Sequence, residues 1–499
     1  MRTGPPTVVL ATTNGTGMGH LSRQLALALA SLGGMNPVLF SMSSAVPVTG
    51  AFDMRAEWCP GPTRGQVPKL RWDAYVCDRI TALLEETGAS AFVFDGVFPY
   101  DGVLRAIRRN PHVPFIWSRR GMWKSGAGRR GLRYRRLFAA VLEPGDLASG
   151  GDIGRTAELD DARKVAPVTL VSNVPQLNRE EARTALGLDP SRQTLLITLG
   201  SSKRSDLHAA YGTSVTRFRE AGWQIVVTTA PLAAGGPADP GGPTLISVFP
   251  LVKYLKAFDA AVSASGYNAA HELLYSLTPT LLVPNPAPQL DDQRTRARVL
   301  AGIGLALAAD PERPAEFTGA IDRLLDVRVR DRLVAACSEL PPTTGATQAA
   351  RFVISLASSG PPATGEQVNA AALHAQRAAR RQISRALPAP VLNLIGKPRS
   401  PDLRLPGILH TRLAPVAEQG TPVLPPPDHH DLLVTDALTV GMYDGRYTEH
   451  LVAGASDDYV AARAQIAARY YRLGQPRPLE PGAAPKRAAR WAELGWSTG

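Results

Sequence analysis

The sequence predicts an α/β protein of two doubly wound parallel sheets with a carboxy-terminal extension. Three observations carry this. Short β-branched or apolar runs alternate with amphipathic helical patterns, which implies right-handed strand-helix-strand units and a parallel sheet. The alternation ends before the stretch 164–190 and starts afresh at Thr194, so two units fit better than one large sheet. A chain of 499 residues with 44% hydrophobic content is long enough for two or three domains with ordinary cores.

In the first unit, taken as residues 1–165, strand "TVVLATT" leads to a helix from about Gly19 to Leu32 and strand "NPVLFS". A helix around Asp73 to Thr87, strand "SAFVFDG", a helix near Asp101 to Arg109 and strand "PFIWS" complete it. The second unit, 166–357, runs through strands "TLLITLGSS", "QIVVTTA", "TLISVFP" and "AAVSAS". The helix "YNAAHELLYSL", strand "PTLLVPNP" and a helix from Asp291 to about Ala301 follow. The composition of "SSGPPATGEQ" marks a linker, and 358–499 form an extension with an Arg-rich helical stretch, a proline-dense segment and a final helix, "DDYVAARAQIAARYYRL". No internal repeat of 20 to 50 residues is found.

Composition excludes several classes. No run of 18 apolar residues predicts a membrane span, and "MRTGPP" runs into a strand without the apolar core of a signal peptide, so a cytosolic protein is expected. Cys59, Cys77 and Cys337 have no metal-ligand spacing and read as reduced structural thiols; no metal or cofactor is expected. The net charge of +12 comes from 47 arginines and 8 lysines, a coding bias, and no reader module for nucleic acid accompanies it.

The loop "NGTGMGH" joins the first strand to its helix. Gly15, Gly17 and Gly19 clear one side of the turn, so backbone amides can face an anion at the helix end. The spacing GxGxG departs from the dinucleotide fingerprint, and no acidic residue lies in Met35 to Val46 to hold a ribose. His20 falls in the first helical turn, where the dipole favours neutral imidazole, the form a general base requires. Asp95 ends a later parallel strand of the same sheet and so belongs to the same edge, where it can fix the imidazole tautomer or, alternatively, cap a helix.

In "SASGYNAAHE" a strand ends at Ser265 and Gly266 and a helix starts at once at Tyr267 and Asn268, a site for a diphosphate. Glu272, seven residues after Ser265, shares the face of the helix start and suits ribose hydroxyls, unless it is merely solvated. Asp291, Asp292 and Gln293 cluster at the next helix start and suit sugar hydroxyls, although capping also explains an aspartate there. Ser201, Ser202, Lys203 and Arg204 follow the first strand of this unit and can neutralise phosphate oxygens. No Asp-x-Asp occurs, which favours a diphosphate held by dipoles and side chains over a metal bridge.

Over about residues 5–355 these motifs resemble the GT-B glycosyltransferases, whose two domains are Rossmann-like. The similar group holds the lipid-II-forming N-acetylglucosaminyltransferase of family 28 and the UDP-glycosyltransferases. The resemblance rests on "GMGH", on "SGYNAAHE" with its Ser-to-Glu spacing, and on "DDQ" after the following strand. It implies a nucleotide-sugar donor as co-substrate, in all expectation a UDP-sugar, with its base near "SVFPLV" including Phe249. The diphosphate would lie on Ser265 and Gly266, the ribose on Glu272 and the sugar on Asp292 and Gln293. His20 would face an acceptor across the cleft, beside Arg119 and Arg120. "NGTGMGH" is one residue longer than its counterpart loop, and "YNAAH" replaces the usual residues.

The expected activity is metal-independent inverting glycosyl transfer. The alternatives are a non-hydrolysing UDP-sugar 2-epimerase, which uses the same architecture, and a silent nucleotide-sugar-binding protein. "WSRRGMWKSGAGRRGLRYRR", 117–136, holds basic residues and two tryptophans without an acidic side chain. It suits an anionic membrane surface or a lipid-linked or anionic acceptor, and hence a peripheral place on the inner face of the membrane; a solvated loop with one buried tryptophan explains it equally.

Overall fold

The computed structural model describes residues 4–13, 18–31, 33–43, 45–52, 54–59, 61, 69–200, 205–229, 242–285 and 291–359, with Val434–Thr435, Thr439–Val440 and Ile466. Gly15, Gly17, Ser201 and Ser202, the linker and nearly all of the extension lie outside these residues.

The first unit comprises β1 (Thr7–Thr12), α1 (Gly19–Ala30), β2 (Asn36–Ser41), β3 (Ala56–Trp58), α2 (Lys69–Thr87), β4 (Ala91–Asp95), α3 (Asp101–Arg109), β5 (Phe115–Ser118), β6 (Ala140–Pro144) and β7 (Arg163–Val165). All seven strands are parallel, in the order β3-β2-β1-β4-β5-β6-β7. The second unit comprises α4 (Arg179–Ala185), β8 (Thr194–Thr198), α5 (Ser205–Glu220), β9 (Gln224–Thr228), β10 (Thr244–Ile246), β11 (Ala260–Ala264), α6 (Tyr267–Tyr275), β12 (Thr280–Val283), α7 (Gln293–Gly302), β13 (Leu307–Ala308), α8 (Pro314–Leu325), α9 (Val327–Ser338) and α10 (Gly345–Ser358). Its parallel sheet has the order β10-β9-β8-β11-β12-β13.

Both faces of each sheet are covered, which is why the central strands read as unbroken apolar runs. In β1, Val9 and Ala11 join the core under α2 and α3, while Val8 and Leu10 join the core under α1 and α10. Trp72, Tyr75, Val76, Ile80 and Leu83 of α2 recur at helical spacing and are buried together. Leu195, Ile197, Val262 and Leu281 pack beneath α5 and α8 in the second unit.

Helix α10 follows the second unit in the chain yet packs on the first: Ala346, Ala349, Ala350 and Val353 share the core of Val8 and Leu10. It straps one lobe to the other. The edge strands β3, β7, β10 and β13 have two or three residues each, too short to produce an alternating pattern.

Candidate active site

Each sheet reverses its strand order beside its first strand, between β1 and β4 and between β8 and β11. At such switch points the loops leave in opposite directions and open a crevice at the carboxyl ends of the strands. The residues singled out in the sequence follow these strand ends.

In the first lobe, Thr12 is in register with Asp95, and Asp95 with Ser118, so three strand ends meet on one edge. His20, in the first turn of α1, brings Nδ1 to 2.5 Å from Oδ1 of Asp95. The carboxylate also accepts from Arg23 Nε (3.0 Å), Arg23 Nη2 (2.5 Å) and the Ser118 hydroxyl (3.2 Å). Burial would raise the Asp95 pKa, but the Arg23 guanidinium and His20 hold it far below the usual carboxylate range. Burial lowers the pKa of His20; Asp95 opposes this in part, and Arg23 and Arg120 add to it. The imidazole is therefore neutral at pH 7. With Nδ1–H donated to Asp95, Nε2 is left as the basic nitrogen.

In the second lobe, Gly266 caps α6, whose first N–H groups have no intrahelical partner. This helix start abuts the first lobe. Asn268 Nδ2 donates to the Gly19 carbonyl (3.1 Å), and its Oδ1 accepts from Arg23 Nη1 (3.3 Å). The Tyr267 ring lies beneath the guanidinium groups of Arg23 (5.5 Å) and Arg120 (5.4 Å). Its buried hydroxyl donates to the Gly145 carbonyl and accepts from Val168 N–H, both at 2.9 Å. Phe249 meets the first lobe edge-on at Phe52, with ring centroids 6.3 Å apart.

A second polar cluster, missed in the sequence, holds the lobes together. Arg296, fully buried on α7, donates to Asp146 (2.8 Å), Asp291 (2.8 Å) and the Ser265 carbonyl (3.0 Å). His271 accepts from Leu147 N–H at Nε2 (3.0 Å) and contacts the Tyr267 carbonyl through Nδ1 (2.6 Å). Burial against Arg296 and Arg120 opposes its protonation, despite Asp146 nearby. Asp291 is held down at about 2: burial would raise it, and Arg296 and Arg120 overcome that.

Glu272 is half-buried, and its Oε1 has no hydrogen-bond partner among the described residues. Burial pushes its carboxyl up to about 7, with only the Leu170 backbone amide opposing.

Other expected site residues have partners within the protein. The Ser265 hydroxyl donates to the Gln293 carbonyl (3.0 Å), so it is engaged within the protein. Asp292 caps α7, accepting from Thr295 N (3.0 Å) and Thr295 Oγ1 (2.8 Å). Gln293 accepts from Asn285 N–H (3.0 Å) and donates to Asp291 (3.3 Å). Arg119 is 1% exposed and paired with Glu143 and Asp161, both at 3.0 Å, which places it in the interior; only Arg120 turns toward Asp291. Trp117 and Trp123 are both buried, Trp117 donating to the Gly96 carbonyl, so neither is offered to a membrane. Arg129, Arg130, Arg133 and Arg136 are the exposed cations of that segment.

No family model matches the chain. It is 28% identical over 291 residues to the UDP-N-acetylglucosamine--N-acetylmuramyl-(pentapeptide) pyrophosphoryl-undecaprenol N-acetylglucosamine transferase of Clavibacter michiganensis, covering 55% of this chain and 73% of that one. Against the Nocardioides enzyme of the same name it is 27% identical over 187 residues, 36% of this chain and about half (51%) of the relative's length. The solved structure of spinosyn forosaminyltransferase SpnP superposes with a TM-score of 0.52 at 15% identity, covering 71% of this chain and all (100%) of that one. The chain has the two-lobed GT-B fold of that structure. Within the GT-B frame, His20 and Asp95 stand on one lobe and the α6 start on the other, linked through Asn268. Among the described residues no helix is long and apolar enough to cross a membrane.

Proposed function

We propose that this GT-B protein is an inverting glycosyltransferase that moves a sugar from a nucleoside diphosphate sugar, a UDP-sugar, to an acceptor hydroxyl without a metal. The observation that carries this reading is that the imidazole bound to Asp95 stands one residue after Gly19, whose carbonyl receives Asn268 from the start of α6 on the other lobe.

His20 Nε2 takes the proton of the acceptor hydroxyl as its oxygen forms the new bond to the anomeric carbon. The bond from that carbon to the diphosphate oxygen breaks, and the diphosphate leaves with the electron pair. Attack from the lobe opposite the diphosphate inverts the anomeric centre. The imidazolium that forms is stabilised by Asp95. The amides of α6, with Arg120 beside Tyr267, neutralise the departing charge. The base is worth about 10²- to 10⁴-fold and the oriented donors about 10²- to 10³-fold. Glu272, with one oxygen unsatisfied, receives ribose hydroxyls, Phe249 borders the base, and Gln293 faces the sugar, while Asp292 sets the start of α7.

The curated relatives are named for an undecaprenol-linked acceptor. The exposed arginines 129, 130, 133 and 136 suit an anionic or lipid-phosphate acceptor and a peripheral contact with an anionic membrane. The test is a thermal-stability panel of UDP- and TDP-sugars with the full chain. A rise in melting temperature with one nucleotide sugar, and release of its nucleoside diphosphate with an acceptor present, is expected. No response to any donor overturns the reading, and formation of an epimeric donor without acceptor replaces it with an isomerase.

A further inference from the structure

Arg23 contacts more of the site than any function so far requires. Its Nη2 lies 2.5 Å from Asp95 Oδ1 and 2.8 Å from His20 Nδ1, within donor range of both. Its Nε donates to Asp95 Oδ2 (3.0 Å), and its Nη1 to Asn268 Oδ1 of the opposite lobe (3.3 Å). Asn268 in turn grips the Gly19 carbonyl, so it touches the chain one residue before His20 and the side chain one helical turn after it.

We propose that Arg23 is a positioning residue that selects which nitrogen of His20 carries the proton and, through Asn268, ties that choice to the approach of the second lobe. Its catalytic meaning rests on the glycosyl-transfer reading above. A guanidinium has donors only. If Nη2–H turned to His20 Nδ1, that nitrogen would have to present a lone pair; the imidazole proton would then sit on Nε2, where it blocks the base. The separation of 2.5 Å between Nδ1 and Oδ1 requires a hydrogen between them, the productive tautomer. Two bonds fix the guanidinium plane so that Nη2 serves Oδ1: Nε to Oδ2 on its own lobe, and Nη1 to Asn268 on the other. When the second lobe withdraws, one of these is lost and Nη2 is free to compete for Nδ1. A closed cleft thus has an active imidazole, and an open one a mixed population. Lysine cannot replace this, since a single ammonium has no rigid fork.

The charged groups that face His20 among the described residues are Asp95 from β4, Arg23 from α1 and Arg120 after β5; Asn268 and Tyr267 are its neighbours from α6. The experiment is long-range ¹⁵N–¹H correlation on the full chain labelled with ¹⁵N-histidine, titrated between pH 5 and 8.5. The chain has nine histidines, and a His20→Gln sample identifies the signal. Wild type is expected to show the Nδ1–H tautomer, titrating below 6.5. Asn268→Ala should raise the ratio of Nε2–H to Nδ1–H about tenfold. Arg23→Met should keep Nδ1–H, since the competing donor is gone, and move the midpoint up by about one unit. Arg23→Lys should keep the low midpoint but mix the tautomers, which mere loss of packing would not do. A wild-type ratio in Asn268→Ala, or Nε2–H dominance in wild type, overturns the proposal; Asn268→Ala removes a partly exposed group, so it carries the test if an Arg23 variant does not fold. A chain that moves no sugar yet shows these shifts ends the transferase reading and leaves this one intact. Sugar transfer with tautomers unmoved by Asn268→Ala does the reverse.

Discussion

Asp95→Asn tests the first-lobe site through stability and chemistry at once. The carboxylate is 1% exposed, and the Arg23 guanidinium that donates to both its oxygens is 4% exposed. Removing the anion leaves a buried cation without its counter-charge, a loss of about 3–5 kcal/mol. The new carboxamide can also donate to His20 Nδ1, driving the imidazole proton to Nε2 and removing the base, for a fall in turnover of about 10²- to 10⁴-fold. Arg23→Gln should cost a comparable amount of stability by leaving the buried Asp95 carboxylate without its guanidinium. The double variant Asp95→Asn/Arg23→Gln removes both charges and should therefore recover about 1–3 kcal/mol relative to the sum of the single losses, while staying inactive. Urea midpoints followed by tryptophan fluorescence measure all three. Single variants within about 1 kcal/mol of wild type, or a double variant equal to the sum, would refute the reasoning.

Glu272→Gln should change the pH dependence of stability. With a native pKa raised to about 7 against an ordinary 4.5, the native state holds a proton that the unfolded chain releases between those values. Stability thus falls as pH rises from 4.5 to 7; allowing for the partial exposure, the loss is about 1–2 kcal/mol, and the variant should abolish it in melting curves between pH 5 and 8. A parallel pair of curves refutes it. Tyr267→Phe leaves Val168 N–H and the Gly145 carbonyl without the phenol between the lobes. It should cost about 1–3 kcal/mol in urea titrations, and no loss would mean the lobes do not rely on that bridge. Arg119→Ala, which leaves Glu143 buried and unpaired, should cost about 3–5 kcal/mol with UDP affinity in calorimetry unchanged. A shift in acceptor KM without a loss of stability would restore Arg119 to the acceptor side.

The pairing of His20 with Asp95 was legible because parallel strands of one sheet end on one edge, and β1 and β4 are adjacent in the sheet. The start of α6 was legible from "SASG" followed at once by a helical pattern. Arg23 was not, although it lies one turn after His20: an arginine on an alanine- and leucine-rich helix looks like its solvated face until the partner carboxylate is placed. The interlobe cluster is harder still, since Asp146 and Arg296 are 150 residues apart in the chain and only the closed fold joins them. Arg119 and Arg120 are neighbours in sequence, yet the backbone turns one inward to Glu143 and the other to Asp291. A charge run does not reveal which of its members are paired.

The account depends most on His20 as the base facing a donor held by the other lobe. The direct measurement is turnover of His20→Ala with the donor identified by thermal stabilisation, set beside its UDP affinity in calorimetry. The expected result is a fall of about 10²- to 10⁴-fold in kcat with UDP binding unchanged. Wild-type turnover in this variant would contradict the account, whatever the donor proves to be.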